Sequence, residues 1–433
     1  MKKRPKAVVV GGSIAGIACA HSLLSADWDV VLIEKSRSPP TACPTGAGVG
    51  LDPQSSNFIN TWLHSHNTHS ITLPLSIDQN QLVTDGAKRS RTVSRDEEFN
   101  FRAAYWADLH ALLYSALPSN VVVLWGHFFL SFSVSDDMGA SVSVKARVLK
   151  TGEIVDMVGD LLVGADGCLS SIRQHLVPNL KLRYSGYAAW RGVLDFSMNE
   201  ESDTIVGLRS AYPDLGKCLY FDLGFRGHCA LYELKNTRIN WIWYVNQPEP
   251  DIKGNSVTMK VSTEMIEQMH KEAEETWVPE LVRVMKETSE PFVNVIYDCD
   301  PLEQVVWDNV VLVGDAAHPT TPHGLRSTNM SILDAAVLGQ CLNKCTTLEN
   351  LGLALKEYEM IRLPVTSRQV LHSRRLGRIK QGLDRDDPEP FNPFEASMED
   401  CQVLQQKSMP FFMGAPTSDD QCGFCERVEL YEI

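Results

Sequence analysis

Three short stretches pair glycines with a carboxylate, the combination that holds a phosphorylated, hydroxyl-rich ligand against a backbone. In the first, Gly11, Gly12, Ser13, Ile14, Ala15 and Gly16 (GGSIAG) precede Glu34 and Lys35. Gly11 permits a tight turn and Gly16 lets a following helix pack closely on the preceding strand. That helix offers free N–H groups and a positive dipole end to a pyrophosphate. Glu34 stands where a carboxylate accepts hydrogen bonds from ribose hydroxyls. Ser13 replaces one glycine of the fingerprint, so the turn reads GxSxxG; alone it serves NAD, FAD or no ligand. In the second stretch, VGADGCLSSIRQHL, Gly164 and Gly167 flank Asp166 at a strand-to-helix turn, with Arg173 one helix face along from Ser170. In the third, the apolar run Val310 to Val313 delivers Gly314 and Asp315 to a strand end. A loop bounded by Pro319 and Pro322 then leads to a helix starting near Thr328, whose N–H groups point back into the same crevice.

Single residues add to these clusters. Arg102 is placed just before or in the first turn of a helix, FRAAYWADLHALLYSAL, where the dipole disfavours a cation; an anionic ligand would explain it. Tyr187, Trp190 and Arg191 lie on an aromatic strand, where Arg191 serves a substrate anion, closes over a cofactor or forms a structural ion pair. His323 is a candidate acid or base. His64, His66 and His69 have no acid or cysteine beside them and read as a solvated helix end, so no metal site is expected. Cys422 and Cys425 form a lone CxxC in a polar tail, and the 11 cysteines show no disulfide spacing, which fits a reducing, cytoplasmic setting.

These residues need elements to position them. Strand, turn, helix and strand between Ala7 and Lys35 open a dinucleotide-binding sheet. Residues 180 to 247 alternate and are aromatic-rich, an antiparallel sheet inserted into the α/β chain, with Tyr187, Trp190, Tyr220, Tyr232, Trp241, Trp243 and Tyr244 as a pocket wall. Residues 84 to 100 read as an exposed hairpin or loop, 257 to 287 as two charged helices outside, and 349 to 380 as a long helix. The expected domains are 1–180 with 290–383 (residues 70–100 open to assignment to the second domain), 181–289 for substrate, and a tail or lid at 384–433. The 433 residues carry a formal charge of −14 and a pI of about 5.3, which argues against nucleic acid and anionic membrane surfaces. No apolar stretch reaches the roughly 20 residues of a membrane span, and the basic start runs into a strand rather than a signal peptide.

GGSIAG with Glu34, VGADG and VGDAAHP, in this order across residues 5 to about 345, resemble the FAD-dependent aromatic hydroxylase family, the single-component flavoprotein monooxygenases. The chain is similar to the branches acting on dihydroxypyridine, 6-hydroxynicotinate, urate and salicylate. The resemblance implies an α/β fold: a Rossmann-like FAD-binding domain, an interleaved antiparallel β-sheet substrate domain and a helical C-terminal segment. It implies FAD with Gly11 to Gly16 at the pyrophosphate, Glu34 and Lys35 at the adenosine end, and Arg102 at the phosphate and ribitol. Gly48 and Val49 would face the isoalloxazine, and Asp166 with Gly167 would serve the flavin and the nicotinamide. Gly314 and Asp315 would hold the ribityl chain, with Pro322, Ser327, Thr328 and Asn329 completing the set. With no second nucleotide fingerprint, NADH or NADPH is a transient co-substrate. The implied reaction hydroxylates a small aromatic or heteroaromatic molecule with O₂ through a flavin C4a-hydroperoxide, in a monomer or homodimer, with Tyr187, Arg191 and His323 nearest the chemistry. Arg326 and Ser327 stand where many members have Gln-Gly, and Leu333 where they have an acid; Arg326 is expected to add positive charge near the flavin pyrimidine edge. An epoxidase or oxidase of the same fold, and an FAD-binding protein without turnover, stay open as alternatives.

Overall fold

The computed structural model describes residues 4–40, 46–63, 67–84, 88–135, 141–225, 227–251, 256–345 and 347–406. Apolar runs build a six-stranded sheet in the order Val306–Trp307, Val310–Leu312, Leu161–Gly164, Lys6–Val10, Asp29–Glu34, Val122–Trp125. Its pairings are parallel except at the Val306–Trp307 edge. The Ile14–Ser25 and Ser327–Asn343 helices share its core, which explains the unbroken apolar character of its central strands. From Lys6–Val10 the chain moves to Asp29–Glu34 on one side and returns at Leu161–Gly164 on the other. That switch point opens a crevice at the carboxyl ends of the strands.

A second sheet has eight strands, in the order Thr258–Met259, Phe292–Asp298, Arg183–Asp195, Arg238–Asn246, Gly227–Leu234, Cys218–Gly224, Ile77–Thr84, Lys88–Asp96. All neighbours are antiparallel except Cys218–Gly224 against Ile77–Thr84. The expected exposed segment 84–100 thus supplies an edge strand, on which Val93, Ser94 and Asp96 are buried. The helices Thr263–Thr276 and Pro279–Glu287 turn Met269, Ala273, Leu281 and Met285 into one core of this sheet.

The helix expected from Phe101 begins five residues later. Phe101–Tyr105 is a strand between Gly48–Leu51 and Thr72–Leu75, and only Trp106–Ser115 is helical. Strand alternation sends Phe101 and Ala103 into one core and Ala104 into another, and two-sided pairing outweighs the helical pattern of the alanines. The helix dipole therefore has no bearing on Arg102.

The Leu351–Lys380 helix ends over the eight-stranded sheet, where a Cβ on Gly377 would stand 2.5 Å from Tyr187 Oη. Residues 384–406, the first part of the expected tail or lid, pack onto the eight-stranded sheet. Cys401 and Leu404 are buried in the sheet's inner core, Gln406 N donates to Asp78 Oδ2 at 2.7 Å, and Gly324 N donates to Gln406 Oε1 at 2.8 Å. His64, His66, Cys422 and Cys425 lie outside the described residues. No described helix is long and apolar enough to cross a membrane.

Candidate active site

The three glycine–acid clusters meet at the strand ends of the six-stranded sheet. Gly11 has φ +111°, and a Cβ there would stand 2.2 Å from Ala165 O; a Cβ on Gly16 would stand 1.8 Å from Gly11 O. Only glycine allows these approaches. A Cβ on Gly314 would come within 3.0 Å of Ala15 Cβ, so the third cluster abuts the first. Glu34 ends its strand beside the turn: Oε2 accepts from Gly12 N at 2.7 Å and Oε1 from Ser36 N at 2.8 Å, while Lys35 is exposed. Asp166 Oδ2 accepts from Ser171 N at 2.7 Å and Ile172 N at 3.2 Å, whereas its buried Oδ1 has no partner; burial raises this carboxyl. Asp315 is raised by burial too, and its Oδ1 accepts from Ser327 Oγ at 2.7 Å.

Beyond this junction lies a cleft of about 260 Å³. Gly48, Val49, Asp315, Pro322, Ser327 and Thr328 line it from one side, and Arg191, Tyr232 and Tyr244 from the eight-stranded sheet. Strand alternation divides the expected aromatic wall. Tyr220, Trp241 and Trp243 turn into the core under the outer helices with Trp190 beside them, while Tyr187, Tyr232 and Tyr244 face inward. Arg191 Nε is buried without a partner, and the arginine's charge works against the burial that raises the phenols of Tyr232 and Tyr244. Tyr187 and His323 sit one layer behind the wall, with Tyr187 Oη 3.4 Å from His323 Nδ1. Burial raises the Tyr187 phenol and depresses His323 strongly, so both are neutral near pH 7.

Several expected contacts point elsewhere. Arg102 donates to Thr72 Oγ1 at 2.6 Å and Thr72 O at 3.2 Å and lines a separate cavity of about 220 Å³ with Pro53, Ser56 and Asn60. Asn329 Nδ2 donates to Gly50 O at 2.9 Å and Leu325 O at 2.6 Å, and its Oδ1 accepts from Asp52 N at 3.0 Å. It therefore staples the Gly48–Leu51 strand to the loop after Pro322. Arg326, whose charge was expected near the flavin, does line the cleft, but it is buried with Nη1 3.2 Å from Asp52 Oδ2 and its guanidinium 4.9 Å from the Phe101 ring centroid. Its charge is compensated.

The sequence names no partners for the residues that brace the clusters. Asp334, buried, accepts from Gly314 N at 2.8 Å, His318 Nε2 at 2.6 Å and Arg362 Nε at 2.7 Å. Burial opposes its ionisation, yet His318 and Arg362 hold the carboxyl at about 2. Arg173 Nη1 donates to Asp315 O at 3.0 Å and Ala316 O at 2.9 Å, and Nη2 to Cys168 O, which ties the second cluster to the third. Asn240 Oδ1 accepts from Gly48 N at 2.7 Å and holds the cleft strand on the sheet. The signals were present as a buried-type Asp after VGDAAHP and an Arg inside a short helix, but nothing local named their partners.

These residues fit a dinucleotide cofactor. The helices Ile14–Ser25 and Ser327–Asn343 have neither a side-chain cap hydrogen bond nor an acid in the first turn, so both present unneutralised N–H groups. Asp166 Oδ1 is an orphaned acceptor. Among the described residues no cluster could hold a metal ion.

A family model described as FAD binding domain matches residues 4–373. The chain is 26% identical to 3-amino-4-hydroxybenzoate 2-monooxygenase PtmB3 of Streptomyces platensis, over 94% of this chain and 93% of the relative. It is also 26% identical to 6-hydroxynicotinate 3-monooxygenase of Bordetella bronchiseptica, over 85% of this chain and 90% of the relative. The fold is similar to Klebsiella pneumoniae HpxO complexed with FAD and uric acid, with TM-score 0.71 and 20% identity over 92% of each chain. The chain thus belongs to the FAD binding domain family, with FAD as its cofactor, alongside the flavin-dependent aromatic monooxygenases that its three clusters resemble.

Proposed function

We propose that this protein is an NAD(P)H-consuming monooxygenase that hydroxylates a small aromatic or heteroaromatic substrate carrying an anionic group. The observation that carries the reading is Arg191: a cation with an unpartnered, buried Nε on an aromatic wall, facing the loop after Asp315. FAD, when bound, would supply the redox chemistry: hydride uptake from NADH or NADPH and activation of O₂. The protein positions and shields. Gly11 to Gly16 and the two uncapped helix ends would receive the cofactor phosphates and its polar edge. Asp315 and Ser327 would offer oxygen atoms to the ribityl hydroxyls, and Arg191 would pair the substrate anion. Tyr232, Tyr244, Pro322 and Leu325 exclude water from the reacting ring.

The test is to purify the full chain and record its flavin spectrum. NADH and NADPH oxidation and O₂ uptake are then followed with hydroxylated benzoates, pyridines and purines. Ligand-stimulated oxidation with a product heavier by one oxygen atom is expected. Bound flavin that no aromatic ligand stimulates would overturn the reading in favour of an FAD-binding protein without turnover.

A further inference from the structure

Buried polar atoms without a partner gather around the cleft: Arg191 Nε and Tyr232 Oη on the sheet wall, Thr320 Oγ1 on the facing loop, and His228 Nε2 and His323 Nε2 packed against Tyr244 behind the lining. Folded chains rarely leave such atoms unpaired, so a concentration of them marks where a guest supplies the missing partners. His228 lies directly opposite Tyr244 across two strands and stacks on it with ring centroids 4.4 Å apart. The His323 ring is 5.1 Å from each of them and follows Pro322, a cleft residue. Both imidazoles thus pack directly against Tyr244, a ring that lines the cleft.

The hydrogen-bond chain behind His228 determines its tautomer. Asn246 Nδ2 donates to the Gln381 backbone O at 2.8 Å, which leaves Asn246 Oδ1 to accept from Gln381 Nε2, also at 2.8 Å. Gln381 Oε1 therefore faces His228 Nδ1 at 2.8 Å, and since a carbonyl oxygen only accepts, the ring proton sits on Nδ1. His228 Nε2 is a lone pair. Burial, seconded by the Lys380 ammonium, pushes this imidazole down to about 3, so it stays neutral at working pH. Tyr187, Tyr244 and His323, the other titratable rings packed here, are uncharged near pH 7 as well.

We propose that His228 is a specificity-determining residue whose Nε2 accepts a hydrogen bond from a protonated ring substituent, O–H or N–H, of the aromatic ligand. The proposal rests on the aromatic-substrate reading and adds an orientation to it. An ionised oxygen would meet a lone pair at His228, so the anionic end belongs at Arg191 and the protic end at the imidazole. A site built around a buried acceptor rejects an analogue that lacks the donor, because the acceptor is then left unpaired.

The test uses the FAD-loaded full chain titrated with 4-hydroxybenzoate and 4-methoxybenzoate, read by perturbation of the flavin spectrum. The wild type is expected to prefer the hydroxy ligand at least roughly tenfold. His228→Phe, which keeps the stack on Tyr244 but lacks the lone pair, should bring the ratio near one without weakening the methoxy ligand. Nitrogen NMR of histidine-labelled wild-type holoprotein adds a readout independent of variant folding: the unprotonated His228 nitrogen should shift with the hydroxy ligand and not with the methoxy one. A preference that survives in a folded His228→Phe variant, or an unmoved nitrogen signal, overturns the proposal. Two ligands that bind the wild type equally overturn it also and leave the functional reading standing. No response to either ligand, nor to any hydroxylated aromatic, overturns both.

Discussion

Arg191 brings a guanidinium to an aromatic wall, and Arg191→Gln keeps much of the stem while removing the charge. A charge-assisted hydrogen bond contributes about 1.5–3 kcal/mol, so Kd for an anionic aromatic should rise roughly 10- to 100-fold. FAD affinity, measured by flavin fluorescence, should change little; an equal loss in both would show a structural role instead. Lys380 poses the opposite problem, a buried ammonium held by Asn80 Oδ1 at 2.7 Å and the Phe221 ring at 3.3 Å. Burial lowers it from 10.5 to about 7. The unfolded chain keeps that proton up to about pH 10, so between pH 7 and 10 it binds more protons than the native state, and stability rises with pH across that window. Below pH 7 the whole penalty is present. Asp78 is the buried carboxylate that pulls on this ammonium; Lys380→Met removes the titrating group, so the rise in stability between pH 7 and 10 should flatten. Urea midpoints at pH 7 and pH 9 check it, and an undiminished rise in the variant would contradict the assignment.

At the scale of elements, the cleft depends on how the Gly48–Leu51 strand is fastened. Asn329, Asn240 and the Arg326–Asp52 pair tie it to the Ser327–Asn343 helix and to the eight-stranded sheet. Leu325, at φ +55°, packs over Gly50, where a Cβ would be 2.8 Å from Leu325 Cδ1; the turn is held in a left-handed conformation that leucine seldom takes. Arg326→Gln leaves Asp52 buried and unpaired, and breaking a buried pair costs about 3–5 kcal/mol. The thermal midpoint should fall, whereas the flavin reduction potential should move little because Asp52 already offsets the charge. A shifted potential with unchanged stability would restore the idea of a free cation at the flavin edge.

Across the whole molecule, the C-terminal segment closes a circuit from the long helix back to the cleft loop. Gln406 bridges Asp78 on the sheet and Gly324 beside His323, while Cys401 and Leu404 complete the inner core. Ending the chain after Leu383 exposes these apolar contacts, at roughly 1.5–3 kcal/mol for each buried large side chain, and frees Gly324. The shortened protein should melt several degrees lower and bind aromatic ligands more weakly than the full chain. Unchanged melting and ligand affinity would show the segment to be dispensable.

The three glycine–acid clusters were legible in the chain because each is a local device: a turn, a helix end and a carboxylate within a few residues of one another. Tertiary structure decided which side chains those devices meet. Arg102 reads as an anion ligand but hydrogen-bonds Thr72, and Arg326 reads as a free cation but pairs with Asp52, since the partner in each case is distant in sequence. Alternation was visible along Arg238–Asn246, yet only packing showed that Trp241 and Trp243 feed the outer core while Tyr244 faces the cleft. His228 had no signal in a strand of apolar residues. Its role depends on Gln381 and Asn246, which reach it from a helix end and a neighbouring strand, and a one-dimensional pattern does not record which distant groups share a volume.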